Sequence, residues 1–186
     1  MIFMKVLLSI GGASGSIYGI RLFEELKKAD VQIHLIISDD AKKIIKHETN
    51  YEFSKLKKKT DFYYENNDIF AGPASGSFKL DAMIVCPCSM KTLSAIATGY
   101  GDVLTSRAAS CILKEGKKLI LVPRETPLSL PFIENLKKLK IASATILPAM
   151  PGFYHKPKEI DDLIDFIVGK ILDQLNIDHS LYNRWK

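Results

Sequence analysis

The 186-residue chain is poor in cysteine, and its three, Cys86, Cys88 and Cys111, are odd in number, apolar in context and without C-x-x-C spacing. That excludes a disulfide framework and a cysteine zinc site, and it fits a reducing cytoplasm. The four histidines, His34, His47, His155 and His179, show no metal-ligand spacing and accompany no serine or cysteine motif, so no resident metal is expected. No apolar run approaches the ~20 residues of a membrane helix. The apolar start, Ile2 to Ile10, is interrupted by Lys5, lacks a basic leader and runs directly into a motif-bearing loop, so we do not expect a signal peptide. A strong charge of one sign is also missing. With 26 basic and 21 acidic residues the net charge is only +5, and the lysines fall on apparent helix surfaces such as Lys42, Lys43, Lys46, Lys137 and Lys138. The densest cluster, Lys55 to Lys59, contains no arginine and no interleaved aromatic. It reads as a solvated face, and no nucleic-acid partner is expected.

What is present is a core-forming chain, 47% hydrophobic, of a length that suits one domain spanning 1–186. Strand-length apolar runs alternate with helical patterns. Met4 to Ile10 reads as a strand, Ser14 to Ala29 as a helix, Val31 to Ile37 as a strand, and Asp40 to Thr49 as a short lysine-rich helix. Tyr63 to Lys79 reads as a long polar loop, a length that is usually functional or disordered. Ala82 to Cys86, Lys118 to Val122 and Thr145 to Leu147 read as strands, Ser89 to Thr98 and Val103 to Lys114 as helices. Ile160 to Leu175 forms the clearest apolar helical stripe, which must cover a sheet or a partner. Continuous apolar strands separated by helices imply a three-layer, doubly wound α/β fold with a mostly parallel sheet, Rossmann-like or flavodoxin-like. Ligands in such folds sit at the carboxyl ends of strands near a topological switch point.

The segments at those ends carry the candidate chemistry. Gly11 to Gly19, GGASGSIYG, fails the G-x-G-x-x-G fingerprint and lacks a P-loop ending. It offers backbone amides and two hydroxyls at a helix start, which suit one phosphate or a flavin edge. A tight turn with Ser14 as N-cap explains it equally. Cys86-Pro87-Cys88-Ser89-Met90-Lys91-Thr92 ends a strand at a proline and gathers two hydroxyls and an ammonium in one helical turn. Its cysteines read as packing residues. Pro123-Arg124-Glu125-Thr126-Pro127 sets a guanidinium beside a carboxylate between prolines, either a surface ion pair or a catalytic pair. Arg107 is a lone charge in a weakly polar helix and needs an anionic partner if buried. Pro151 to Pro157 is an aromatic loop, either a ring-stacking lid or a hydrophobic staple for the last helix.

Taken in order, GGASGSIYG, PASGS, CPCSMKTLSAIATG, the Arg107 helix, VPRETPL, PGFYH and DLIDFIVGKILDQL resemble the flavin prenyltransferase family over nearly the whole chain. The resemblance implies metal-independent transfer of a dimethylallyl group from dimethylallyl monophosphate to N5 of reduced FMN, with ring closure at C6. The prenylated FMN then serves a partner decarboxylase. It places flavin contacts on Gly12, Ala13, Ser14, Ser38, Ser89, Met90, Lys91, Thr92 and Arg124. Prenyl-phosphate contacts fall on Arg107, Lys114, Glu125, Tyr154 and Lys170, and Glu48 matches an acid near the reacting flavin. Ser14, Glu48 and Glu125 are the implied catalytic residues, with either Glu125 or the released phosphate taking the C6 proton. Trp185 matches a C-terminal aromatic, with packing as its other role. Lys170 stands where the family commonly has arginine; lysine gives up the planar bidentate grip, so weaker substrate binding is expected and not a different reaction. The family assembles as a homododecamer with sites shared among subunits.

Two rivals remain in the sequence. A related FMN-dependent cysteine decarboxylase would call for a catalytic histidine and an asparagine-methionine motif, neither of which is evident. A flavin carrier without activity would have no reason to keep Arg107, Lys114 and Glu125 around an anion site.

Overall fold

The computed structural model describes residues 4–185; Ile2 and Phe3, at the head of the first apolar run, lie outside the described residues. Six strands, β1 (Lys5–Ile10), β2 (Gln32–Ile37), β3 (Phe62–Tyr64), β4 (Ala82–Cys88), β5 (Lys118–Pro123) and β6 (Thr145–Ile146), make one sheet in the order β3-β2-β1-β4-β5-β6. Every neighbouring pair is parallel, so the sheet is wholly parallel among the described residues where the sequence implied mostly. Parallel strands need crossovers that put helices on both faces. That is why β4, AMIVCPC, is buried at every position.

The helices are α1 (Ser16–Lys28), α2 (Asp39–Glu48), α3 (Phe53–Lys59), α4 (Met90–Thr98), α5 (Leu104–Lys114), α6 (Leu130–Ile141) and α7 (Ile160–Gln174). Alternate side chains of the central strands feed two separate cores. Val6, Leu8, Ile10, Ile33 and Leu35 pack under α1, α2, α3 and α7. Leu7, Ile36, Met83, Val85 and Leu121 pack under α4, α5 and α6. Strand order reverses between β1 and β4, and at that point the loop after β1 meets the end of β4, with Gly11 N donating to Pro87 O at 3.1 Å. A Cβ on Gly11 would stand 2.6 Å from Pro87 O, so only glycine permits this approach.

The long polar stretch is more ordered than its composition implied. Tyr63 and Tyr64 belong to the edge strand β3, and Gly72–Ala74 forms one turn of 3₁₀ helix. Pro73 and Leu80 are buried, and Phe78 stands edge-on to His34 at 5.2 Å. The last helix starts on a capping box between Glu159 and Asp162. Lys158 therefore occupies the staple position, so the aromatic loop before α7 is not a hydrophobic staple. Ile160, first in the predicted stripe, is exposed because it precedes the turn where α7 meets the sheet.

Candidate active site at the switch point

Gly15 is the N-cap of α1, in the left-handed region at φ 94°, and its side-chain-free position caps nothing. The cap comes from α2: Glu48 Oε2 accepts from Gly15 N at 2.9 Å and from Ser16 N and Ser16 Oγ at 3.1 Å each. Ser14 is thus not the N-cap. Burial alone would raise the Glu48 pKa, but hydrogen bonds from the Ser14 side chain, Gly15 and Ser16 outweigh it and hold the carboxyl below its ordinary value. A carboxylate already occupies the positive end of α1, which leaves no place for a phosphate there.

The other helix starts at this edge differ in charge. In α2, Ser38 Oγ accepts from Ala41 N at 3.2 Å and the first turn carries Asp39 and Asp40. In α5, Asn66 Oδ1 accepts from Thr105 N at 3.1 Å and from Thr105 Oγ1 at 2.7 Å. With its proton committed to Asn66, Thr105 Oγ1 accepts from buried Ser9 Oγ at 2.8 Å. In α4, Ser89 Oγ accepts from Thr92 N at 3.3 Å, no acid stands in the first turn, and Lys91 is exposed beside it. The α4 start joins a first turn without acids to an exposed cation, Lys91. It opens on a polar cavity of about 300 Å³ whose lining includes Gly12, Ser38, Ser89, Lys91 and Thr92 together with the carboxylates Asp39, Asp40 and Asp102. A Cβ on Gly12 would stand 2.7 Å from Asp40 Cβ, so the glycine keeps loop and α2 close. Ala13 is buried beneath the loop and Met90 packs on the α4 side of the core. Asn66 escaped sequence reading because Asn-Asn-Asp signals a turn equally well; its capping partner lies 39 residues away.

Arg124 does not pair with Glu125. Its amide donates to Cys88 O at 3.3 Å and its Nε to Ser14 O at 3.2 Å, while Glu125 Oε1 accepts from Thr126 N at 3.2 Å. The two charges at the end of β5 are therefore held apart and free to face different groups. A second cavity, about 290 Å³ and mainly apolar, is lined by Arg124, Glu125, Phe132, Leu136, Pro148 and Met150 among others. Cys86 and Cys88 are buried thiols, and burial raises both, Cys88 to about 12; Cys111 is free and buried as well. Burial holds Cys86 and Cys88 in the thiol form, which suits packing and not nucleophilic attack. Among the described residues no group of three His, Cys, Asp or Glu side chains gathers as a metal site, and no helix is long and apolar enough to cross a membrane.

The Flavoprotein family model matches residues 3–172. A flavin prenyltransferase, UbiX, of Methanocaldococcus jannaschii is 50% identical over 182 residues, covering 98% of each chain. The chain belongs to the flavin prenyltransferase family. Among solved structures, AnUbiX in complex with FMN and dimethylallyl pyrophosphate superposes with a TM-score of 0.97 at 42% identity, over 100% of this chain and 98% of that one. A dodecameric FMN-dependent UbiX-like decarboxylase from Escherichia coli gives a TM-score of 0.96 at 42% identity, over 98% and 100%. A peptidyl-cysteine decarboxylase, EpiD, shares the fold at 19% identity and a TM-score of 0.62, over 81% and 83%.

The flavin prenyltransferase resemblance assigns Arg107, Lys114, Glu125, Tyr154 and Lys170 to one prenyl phosphate, and a single chain does not bring them together. Arg107 and Lys114 lie on α5, under one face of the sheet. Lys170 lies on α7, under the other, with Tyr154 edge-on to Phe166 of the same helix at 5.6 Å. Arg107 is exposed, not buried, and its Nε donates to Ala74 O at 3.1 Å. No internal anion is needed. Lys114 Nζ stands 3.0 Å from Glu115 Oε1 at the far end of α5. Trp185 stands edge-on to Tyr154 at 5.6 Å.

Proposed function

We propose that this chain prenylates reduced FMN with dimethylallyl monophosphate, releasing phosphate and handing prenylated FMN to a decarboxylase in the cytoplasm. The observation that carries it is Arg124, which lines the apolar cavity and ties the Cys88 backbone, next to Ser89 of the polar cavity, to the Ser14 backbone. The polar cavity, with the open start of α4, Lys91 and the Ser38 and Ser89 hydroxyls, suits the ribityl phosphate of a mononucleotide. Asp39 pairs with Lys42 at 2.9 Å and Asp40 with Lys43 at 3.9 Å, which offsets part of the acid charge lining this cavity. Gly12 and Thr92 line the same cavity; Ala13, Met90 and Ser14 would contact the flavin by the family resemblance, with the Ser14 carbonyl held by Arg124 and its side chain facing Glu48.

When bound, the flavin would supply an electron-rich ring, and the protein's part is to hold the leaving group. Breaking an allylic carbon–oxygen bond leaves a delocalised cation and a phosphate, so cationic donors must stabilise the departing anion. Arg107, Lys114, Lys170 and the Tyr154 hydroxyl would bind that phosphate, and Glu125 is placed at the end of β5 to accept a proton. Because α5 and α7 cover opposite faces of the sheet, the phosphate site is completed by another copy of the chain, in keeping with the dodecameric relative. Shared sites make assembly a condition of turnover. The test is anaerobic incubation of the purified protein with reduced FMN and dimethylallyl monophosphate, followed by mass spectrometry. A prenylated flavin is expected; recovery of FMN unchanged under full reduction overturns the proposal.

A further inference from the structure

Residues 176–185 double back along α7, and three of their side chains converge on one carboxylate. Asp173 Oδ2 accepts from Tyr182 Oη at 2.6 Å, while Asp173 Oδ1 accepts from Arg184 Nη2 at 2.6 Å and from His179 Nε2 at 3.2 Å. The histidine tautomer follows from its other nitrogen: His179 Nδ1 accepts from Leu181 N at 3.2 Å, so the proton sits on Nε2. Burial alone would raise the Asp173 pKa, but Arg184, Tyr182 and His179 hold it below the ordinary value. The helix is also shaped for this segment. A Cβ on Gly169 would stand 2.6 Å from His179 Cε1 and 2.7 Å from Tyr182 Cε1. A mid-helix glycine costs roughly 1 kcal/mol relative to alanine, and what it permits here is direct contact between helix backbone and tail.

The seated tail forms one wall around Lys170. Its Nζ lies 5.4 Å from the Tyr182 ring centroid, 5.9 Å from the Phe166 ring and 4.0 Å from Asp173 Oδ2. Trp185, at the end of the same segment, stands against Tyr154. A lysine has a flexible four-carbon stem and no planar fork, so it needs an external wall to fix where its charge points. Asp173 shares its charge with Arg184 and stands 4.0 Å from Lys170, and the Tyr182 hydroxyl also faces the ammonium; with three donors, Lys170 still has one to offer an anion.

We propose that Asp173 is a positioning residue for prenyl-phosphate binding: by anchoring His179, Tyr182 and Arg184 on α7, it holds Lys170 and Tyr154 in the geometry that the phosphate meets. This rests on the assignment of Lys170 and Tyr154 to that phosphate. Asp173→Asn weakens the anchor by charge; Gly169→Ala displaces the same tail by bulk, removes no charge and raises helix propensity. In the full-length protein with reduced FMN, both are expected to speed hydrogen exchange at the Leu181 amide. Both should raise KM for dimethylallyl monophosphate about tenfold, the loss of one well-placed charged contact, with kcat and FMN affinity kept. Faster exchange with KM unchanged overturns the inference, and so does unaltered exchange in both variants. Lys170→Ala separates the two claims. If it leaves KM unchanged, the Lys170 assignment and this inference both fall; if it raises KM while the tail-released variants do not, the inference falls alone.

Discussion

Glu48 and Ser16 are joined twice by one oxygen: Glu48 Oε2 accepts both the amide and the hydroxyl of Ser16 at 3.1 Å. The last residue of α2 thereby closes the start of α1 and fixes the glycine-rich loop between them. Glu48→Gln should destabilise the protein by about 1 kcal/mol at neutral pH, the usual cost of a lost cap. Glu48 is held below its ordinary value of 4.5, so its contribution is present above that value and lost as pH falls through the lower folded one. Denaturant midpoints of wild type and variant, compared across pH, should converge in acid; a constant gap would refute the ionic cap.

Lys91 is the one cation at the open start of α4. Lys91→Ala should weaken FMN binding about tenfold, in line with loss of a charge-assisted contact, and should flatten its salt dependence. Fluorescence titration of FMN at two ionic strengths measures both. An unchanged affinity would remove the phosphate from this end of the cavity.

Lys114 and Lys170 lie under opposite faces of one sheet. At dimethylallyl monophosphate concentrations well below the wild-type KM, Lys114→Ala and Lys170→Ala should each lose most of their turnover through a raised KM, because every site would lack a phosphate cation. Assemblies mixed from the two variants should regain part of the activity, since some sites then draw both lysines from intact copies. Absence of any recovery in verified mixed assemblies would count against a site shared between copies.

His34 is buried against Phe62 at 4.6 Å and Phe78 at 5.2 Å, with Nδ1 2.9 Å from Tyr64 Oη and Nε2 without a partner. Burial chiefly, with the nearby Lys5 charge, lowers its pKa from 6.5 to about 4. Between those values the unfolded chain binds the proton and the folded one does not, so stability falls as pH drops from 6.5 toward 4. His34→Leu should be less stable at neutral pH, having lost the Tyr64 bond, and should lose this pH-dependent part. Urea midpoints that fall in parallel for both proteins would refute it.

The central strands were legible because burial on both faces makes them continuous apolar runs, as in Lys5–Ile10 and Ala82–Cys88. Helix α7 was legible from its periodic stripe. Helix α6 was not delimited, since among its large apolar residues Leu130, Ile133 and Ile141 are exposed and Phe132 and Leu139 are buried. Strand β3 escaped because three residues on an exposed edge carry too little pattern. Of the site, Ser89 and Lys91 could be seen at a strand end, and Arg107 was visible as an isolated charge whose exposure only the fold revealed.

The sequence alone determined the alternation of strand and helix and the placing of small, hydroxyl and charged residues just after strands, because both are local consequences of periodicity and turn chemistry. Only the tertiary structure decided which helix start is free for an anion. That depends on Glu48 reaching α1, on Asn66 reaching α5 and on Arg124 reaching Ser14, contacts between segments 32, 39 and 110 residues apart. It decided as well that the phosphate-binding candidates fall on two faces of the sheet. With right-handed crossovers, a helix's face is set by the side of the sheet on which the next strand is added, and no stretch of sequence carries that by itself.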